Sequence, residues 1–284
     1  MATGRHPQTY PMVEGVERAP PWADDWIAAL RARLPPLTIR EHRQGVRAIS
    51  SHYVESRGKH GIARRATSGE AKRAAFATYY GPLHLLTVFL TVVRATSVSL
   101  DGIERIVDAG CGTGAAGAGL ALALRMRRQG EIVPYPTEPP LLGLELLPWP
   151  LGIAHQTARH FGLEARYRRC RLPRELPRLR PSDAVILGWS ANELQDDERR
   201  QLLDRLVDAA AAGARLFVFE PLARAIAPWM DSWDAALGAT THRLHLVKIE
   251  AGRPEWIKSL DEASKLDHRV LGARAILPCR DGEE

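Results

Sequence analysis

The chain has 284 residues, 45% apolar and 25% charged, a balance that excludes intrinsic disorder and allows one large domain or a core domain with an appendage. Its formal net charge is +6, carried mainly by arginine, and such a basic surface suits a polyanionic partner such as RNA as well as a plain solvated face. Three widely spaced cysteines, Cys111, Cys170 and Cys279, exclude a zinc knuckle or disulfide framework and point to a reducing cytoplasm.

Residues 1–22 are rich in proline and polar groups and read as a loose tail, with no apolar core of a secretory signal. A first helix is expected over 25–34, where Trp26, Ile27, Leu30 and Leu34 keep helical spacing until Pro35–Pro36 stops them. A second covers 39–56, with Val46, Ile49 and Tyr53 on one face. A third begins near Ser68 as N-cap and runs through Tyr80, where Gly81–Pro82 interrupts it. A further helix then carries Leu85, Leu86, Phe89 and Val92. The apolar run from Leu85 to Val93 is too short for a bilayer span and reads as a buried helix, so no membrane partner is expected. Residues 23–100 thus form a helical extension.

From residue 101 to 284 strands alternate with helices. Strands are expected at 105–109, 141–145, 165–169, 184–187, 215–220, 243–250 and 269–277, with helices at 115–128, 150–161, 196–212 and a shorter one near 256–265. Single helices between strands imply parallel pairing through right-handed crossovers, and the last two strands suit an antiparallel pair. The expected fold class is α/β: a seven-stranded Rossmann-like sheet of the class I methyltransferase kind, with a helical N-terminal extension. Residues 133–140, rich in proline, lengthen the route from the first of these strands to the second.

The strongest local signal is Asp108-Ala109-Gly110-Cys111-Gly112-Thr113-Gly114, a glycine-rich turn between a strand and a helix. A Cβ there would keep the backbone from approaching a bound nucleoside, and such turns need positive φ. An acid at the strand end can hold an ammonium group, which suits S-adenosylmethionine. Gly112, Gly114 and Gly117 also spell the dinucleotide fingerprint, leaving a nicotinamide enzyme open. Glu145, at the end of the second strand, can accept ribose hydroxyls in either case. Downstream, Trp189, Ser190, Ala191, Asn192 and Glu193 follow the fourth strand, beside the switch-point crevice, and Glu220-Pro221 ends the fifth.

Several stretches together resemble a methyltransferase family of small-ribosomal-subunit assembly found in mitochondria and bacteria. They are Ile49–Tyr53, Arg73–Tyr80, the loop Asp108–Gly114, Ser190-Ala191-Asn192-Glu193-Leu194 and Glu220-Pro221, spanning roughly residues 45–225. The resemblance implies S-adenosylmethionine as cofactor and small-subunit ribosomal RNA as acceptor or partner, in a family that includes assembly factors. The iron–sulfur centre common there has no counterpart in three scattered cysteines.

Methyl transfer from a sulfonium needs alignment, and a base only if the nucleophile must lose a proton. Asn192 to orient the acceptor and Glu193 as optional base are the candidates. Asn192 with Gln195 also reads as a capping-box variant opening the helix at Asp196. Cofactor contacts are expected from Asp108, Gly110, Cys111, Gly112, Gly114, Glu145, Trp189, Ser190 and Tyr80. Tyr79, Tyr80 and His84 either fold over the cofactor or pack in the core, and Trp189 either stacks on a base or is buried. Trp229 and Trp233 line the substrate mouth or pack, and the ten histidines lack metal-ligand spacing. A small-molecule or protein methyltransferase, a non-catalytic assembly factor and a nicotinamide oxidoreductase remain as rival readings.

Overall fold

The computed structural model describes residues 10–55, 68–129 and 138–280, with the backbone alone for 52–55. The expectations for residues 1–9, the Tyr53 side chain and residues 133–137 lie outside the described residues. The elements are β1 (Met12–Glu17), α1 (Trp22–Arg31), α2 (Ile39–Glu55), α3 (Glu70–Ala75), a π-turn (Phe76–Tyr80), α4 (Gly81–Arg94), β2 (Arg105–Ala109), α5 (Ala115–Arg128), β3 (Leu141–Glu145) and α6 (Pro148–His160). They continue with β4 (Ala165–Arg169), β5 (Asp183–Gly188), a 3₁₀ turn (Ala191–Glu193), α7 (Asp196–Ala211), β6 (Arg215–Pro221), α8 (Met230–Ala236), β7 (His242–Ala251), α9 (Glu255–Ser264) and β8 (Val270–Pro278).

The sheet has eight strands in the order β1-β7-β8-β6-β5-β2-β3-β4, one more than the sequence suggests. Among the described strands only β8 runs antiparallel, between β6 and β7. Apolar strand residues alternate between the two faces. Ile106, Phe217 and Phe219 pack with α1, α2, α4, α5 and α9, whereas Val107, Leu216 and Val218 pack with α7 and α8. The N-terminal helices therefore share one core with the sheet.

Three expectations fail in the first hundred residues. Residues 12–17 are no tail but β1, paired in parallel with β7 from Met12↔Leu246 to Glu17↔Ala251. Only Val13 of that strand is buried; backbone pairing and Arg94, which donates to Glu14 O (2.9 Å) and pairs with Glu17, hold it. Gly81–Pro82 does not break the helix either. The preceding turn widens to π, so the Gly81 N–H reaches Phe76 O, and Pro82 falls where a missing N–H costs little. Gly69 rather than Ser68 is the N-cap.

The resulting continuous helix, Glu70–Arg94, has 25 residues, and among the described residues it alone is long and apolar enough to cross a membrane. Within the molecule 78% of its apolar window is buried, as the reading of Leu85–Val93 as a core helix requires. Helix α4 runs alongside α5: Gly81 lies against Thr113 and Leu85 against Gly119. Arg127 closes their far end by donating to the carbonyls of Val92, Ala95 and Val98, groups a helix end leaves unsatisfied. This alignment sets the π-turn directly over the loop that follows β2.

Candidate active site

The carboxyl ends of β2 and β5, neighbours in the sheet, flank the switch point of the strand order. Asp108, the next-to-last residue of β2, is fully buried. Its Oδ2 accepts the Gly117 N–H at 2.9 Å, satisfying a first-turn donor of α5, while Oδ1 has no partner among the described residues. Burial raises its pKa to about 7, against the Gly117 bond that lowers it, so this carboxyl wants a cation or donor beside it.

Gly110, Gly112 and Gly114 all have positive φ, at +79°, +51° and +75°. At Gly110 a Cβ would stand 2.5 Å from Ser190 Cβ, so the loops after β2 and β5 touch. Ser190 fastens them by donating its hydroxyl to Ala109 O at 2.8 Å. Gly110 and Cys111 both donate backbone N–H to Leu144 O, and the buried Cys111 thiol is pushed well up by desolvation and then by Asp108 and Glu145. Glu145 accepts Gly112 N–H at 3.1 Å and Leu147 N–H at 2.8 Å, bracing the loop from β3; burial raises its pKa against those bonds. Each of its oxygens keeps a lone pair for a further donor.

After β5 the chain takes an unusual course. Trp189 has φ +54°, a left-handed conformation that a bulky residue holds only where its surroundings force it. Its N–H donates to Phe219 O at 2.8 Å, and its indole stacks on His84 with centroids 3.8 Å apart and planes 7° off parallel. Burial, then the charge of His268, lowers the His84 pKa to about 3, so the stacked imidazole is neutral. Tyr80 donates its hydroxyl to Val46 O on α2 at 3.0 Å, and its ring meets Tyr79 edge-on.

Asn192 is not a cap. The capping box of α7 is Gln195 with Glu198, one helical turn later. The Asn192 amide instead donates to Glu220 Oε2 at 2.7 Å and accepts Trp229 Nε1–H at 2.7 Å, which leaves little of it for an acceptor. Glu220 is fully buried at the end of β6, and desolvation raises its pKa to about 8. Glu193, half-buried, adds its charge to that rise. Trp229 thus belongs to the site wall, while Trp233 packs beneath it, 2% exposed.

Sequence reasoning misses a cluster that no motif announces. Asp261 on α9 lies buried among Tyr79, Arg253 and His268, at 2.5, 2.6 and 2.8 Å. Among the described residues no group of three or more His, Cys, Asp or Glu could hold a metal ion.

No family model and no curated protein matches the chain. Its fold is similar to the solved structure of the mitomycin 7-O-methyltransferase MmcR, at 17% identity and a TM-score of 0.49, over 90% of this chain and 73% of that one. It is also similar to a TehB-like SAM-dependent methyltransferase from Corynebacterium glutamicum, at 18% identity and a TM-score of 0.41, over 81% and 100% of the two chains. A tRNA (uracil-54, C5)-methyltransferase of Pyrococcus abyssi, in complex with S-adenosyl-L-homocysteine, matches at 15% identity and a TM-score of 0.39, over 67% of this chain and 38% of that one. At these values no residue role passes from them to this chain.

Proposed function

We propose that this protein is an S-adenosylmethionine-dependent methyltransferase whose acceptor is RNA of the small ribosomal subunit. The observation that carries the cofactor assignment is Asp108, a buried acid at the switch point with one oxygen unpartnered inside a three-glycine cradle. Such an atom fits a ligand ammonium, and Glu145 fits ribose hydroxyls. The sheet speaks against a nicotinamide enzyme, since an antiparallel strand is inserted where the dinucleotide fold continues in parallel.

When bound, the cofactor supplies a methyl group already activated on a sulfonium. The chain's own part is to bind and align. Asp108 and Glu145 hold the nucleoside from the β2–β3 side. Trp189 and His84 form an apolar wall, and the Glu220–Asn192–Trp229 network keeps the loop after β5 in place. For RNA the support is the exposed arginines 166, 168, 169, 171, 174 and 178, which begin on β4 beside Glu145, paired in register with Arg169.

Calorimetric titration with S-adenosylmethionine, S-adenosylhomocysteine and NAD, on wild type and Asp108→Asn, tests the first half. Micromolar binding of the sulfur nucleosides, weakened at least tenfold in the variant, is expected; binding of NAD alone would sink the assignment. For the second half, purified small-subunit RNA should accept tritiated methyl. Its affinity should fall with salt, less steeply after Arg166→Ala/Arg168→Ala/Arg169→Ala, by about 0.7 in log–log slope for each phosphate that is no longer neutralised. Tight cofactor binding with no transfer to any RNA would favour the assembly-factor reading.

A further inference from the structure

We infer that His268 is the base that takes the acceptor's proton in the proposed methyl transfer, with Asp261 and Tyr79 as its positioning residues. This rests on the methyltransferase reading above.

The proton inventory fixes the imidazole. Asp261 is fully buried, and its carboxylate receives the Tyr79 hydroxyl (2.5 Å), His268 Nδ1 (2.8 Å), the Arg253 guanidinium (2.6 Å) and the His268 backbone N–H (3.2 Å). Burial alone would raise its pKa, but the bonds from His268, Tyr79 and Arg253 outweigh that and hold the carboxyl below its ordinary value. An ionised carboxylate has no proton to give, so each partner must donate. Nδ1 of His268 therefore carries hydrogen. The Tyr79 proton is committed to Asp261, so the 3.0 Å approach of its oxygen to Nδ1 does not change this. In the neutral ring Nε2 is left with its lone pair.

Place supports the role. Because β8 runs antiparallel, its first residue, Val270, pairs with Glu250 near the end of β7, so the segment just before it emerges at the carboxyl edge of the sheet. Tyr79 comes from the π-turn over the glycine loop, and the His268 side chain keeps 32% of its surface exposed. His268 packs edge-on against Tyr79, ring centroids 5.5 Å apart, and His84, on the helix that continues from that turn, stacks on Trp189. The groups facing His268 are thus Asp261 on α9, Tyr79 on the π-turn, His84 on α4 and Arg253 before α9; neighbouring Asp267 is taken by Arg269. Asn192 and Glu220, by contrast, are bound to each other.

In the step, the acceptor's nitrogen or oxygen lone pair forms the bond to the methyl carbon. The carbon–sulfur pair returns to sulfur, leaving a neutral thioether. The acceptor's proton passes to His268 Nε2 and from there to water.

Two measurements test this. Nitrogen NMR of the full chain with ¹⁵N-labelled histidine, His268 assigned by loss of its signals in His268→Asn, should show that its neutral ring carries the proton on Nδ1 and leaves Nε2 bare. In Asp261→Asn that preference should be lost. Methyl transfer to purified small-subunit RNA should fall about 10²–10⁴-fold in His268→Asn, with cofactor affinity changed less than twofold and the acid limb of the pH–rate profile gone. Tyr79→Phe should keep that limb. An Nε2-protonated ring overturns the inference, as does a His268→Asn enzyme within threefold of wild type with the same profile. A wild type inactive on this RNA counts against the proposed acceptor, and the tautomer then decides for or against His268.

Discussion

Along the carboxyl edge of the sheet, the half formed by β2 and β3 is built from backbone, and the half formed by β5, β6 and β8 from side chains. In the first, six residues after Asp108 make the cradle, and Glu145 and Leu144 brace it through main-chain N–H groups. In the second, Asn192 meets Glu220 at 28 residues' separation, Trp229 meets Asn192 at 37, and Tyr79 meets Asp261 at 182. A backbone cradle tolerates few residue types, because each position is fixed by φ and by close approach. A side-chain network tolerates none of its members being lost but can be assembled from anywhere in the chain.

The sharpest way to break this contrast is to put one carbon into the cradle. Gly110→Ala must hold φ near +79° and place a Cβ 2.5 Å from Ser190, so the two loops have to part. We expect a loss of about 3 kcal/mol in denaturant unfolding and loss of measurable cofactor binding. If Gly110→Ala binds the cofactor as wild type does, the touching loops are not what shapes the site.

The same contrast explains what can be read from the sequence. Asp108–Gly114 is legible because its constraints are local, and β2, β3, β5, β6 and β8 are legible because their apolar residues fill two covered faces. Strand β1 is not: of its six residues only Val13 is buried, and what makes it a strand is pairing with β7, some 230 residues away. Gly81–Pro82 misleads because the π-turn that rescues the helix depends on packing against the loop at Thr113. Asn192 reads as a cap because the residues on either side of the α7 start permit two boxes, and only the pairing with Glu220 and Trp229 decides between them. His268 and Asp261 stand seven apart across a helix end, a spacing that signals nothing by itself.

Glu220 sharpens the side-chain half. Its folded pKa, about 8, lies above its ordinary value of 4.5, so its contribution to stability is fully present below about pH 4.5 and is lost as pH rises through about 8. Wild-type stability should therefore drop between pH 5 and pH 8, on the order of a few kcal/mol from this group, with Asp108 adding a fall of the same sign. Glu220→Gln gives up an accepting oxygen facing Asn192, so it should be less stable than wild type at pH 5 and close most of that gap by pH 8. Parallel pH dependences of the two proteins would mean that Glu220 is ionised in the fold.

A smaller effect is expected where the network touches its wall. Trp229→Phe keeps most of the apolar ring but removes the 2.7 Å donor to Asn192 Oδ1, leaving a half-buried acceptor unpaired. About 1 kcal/mol of stability should go, with cofactor affinity unchanged, because nothing in the β2–β3 half depends on it. A drop in cofactor affinity equal to that of Asp108→Asn would show that the two halves are one unit.

The smallest effect separates capping from the site altogether. Gln195 and Glu198 close the first turn of α7 reciprocally, with Gln195 N–H donating to Glu198 Oε2 at 3.2 Å in an exposed setting. Gln195→Ala should cost about 0.5 kcal/mol and leave cofactor affinity and methyl transfer as they were. Asn192→Ala, only three residues earlier, takes a partner from buried Glu220 and from half-buried Trp229 at once and should cost several times more, because Glu220 then stays buried without its side-chain amide donor. Equal costs for the two variants would return Asn192 to the role of a helix cap and leave the buried Glu220 without a reason for its place.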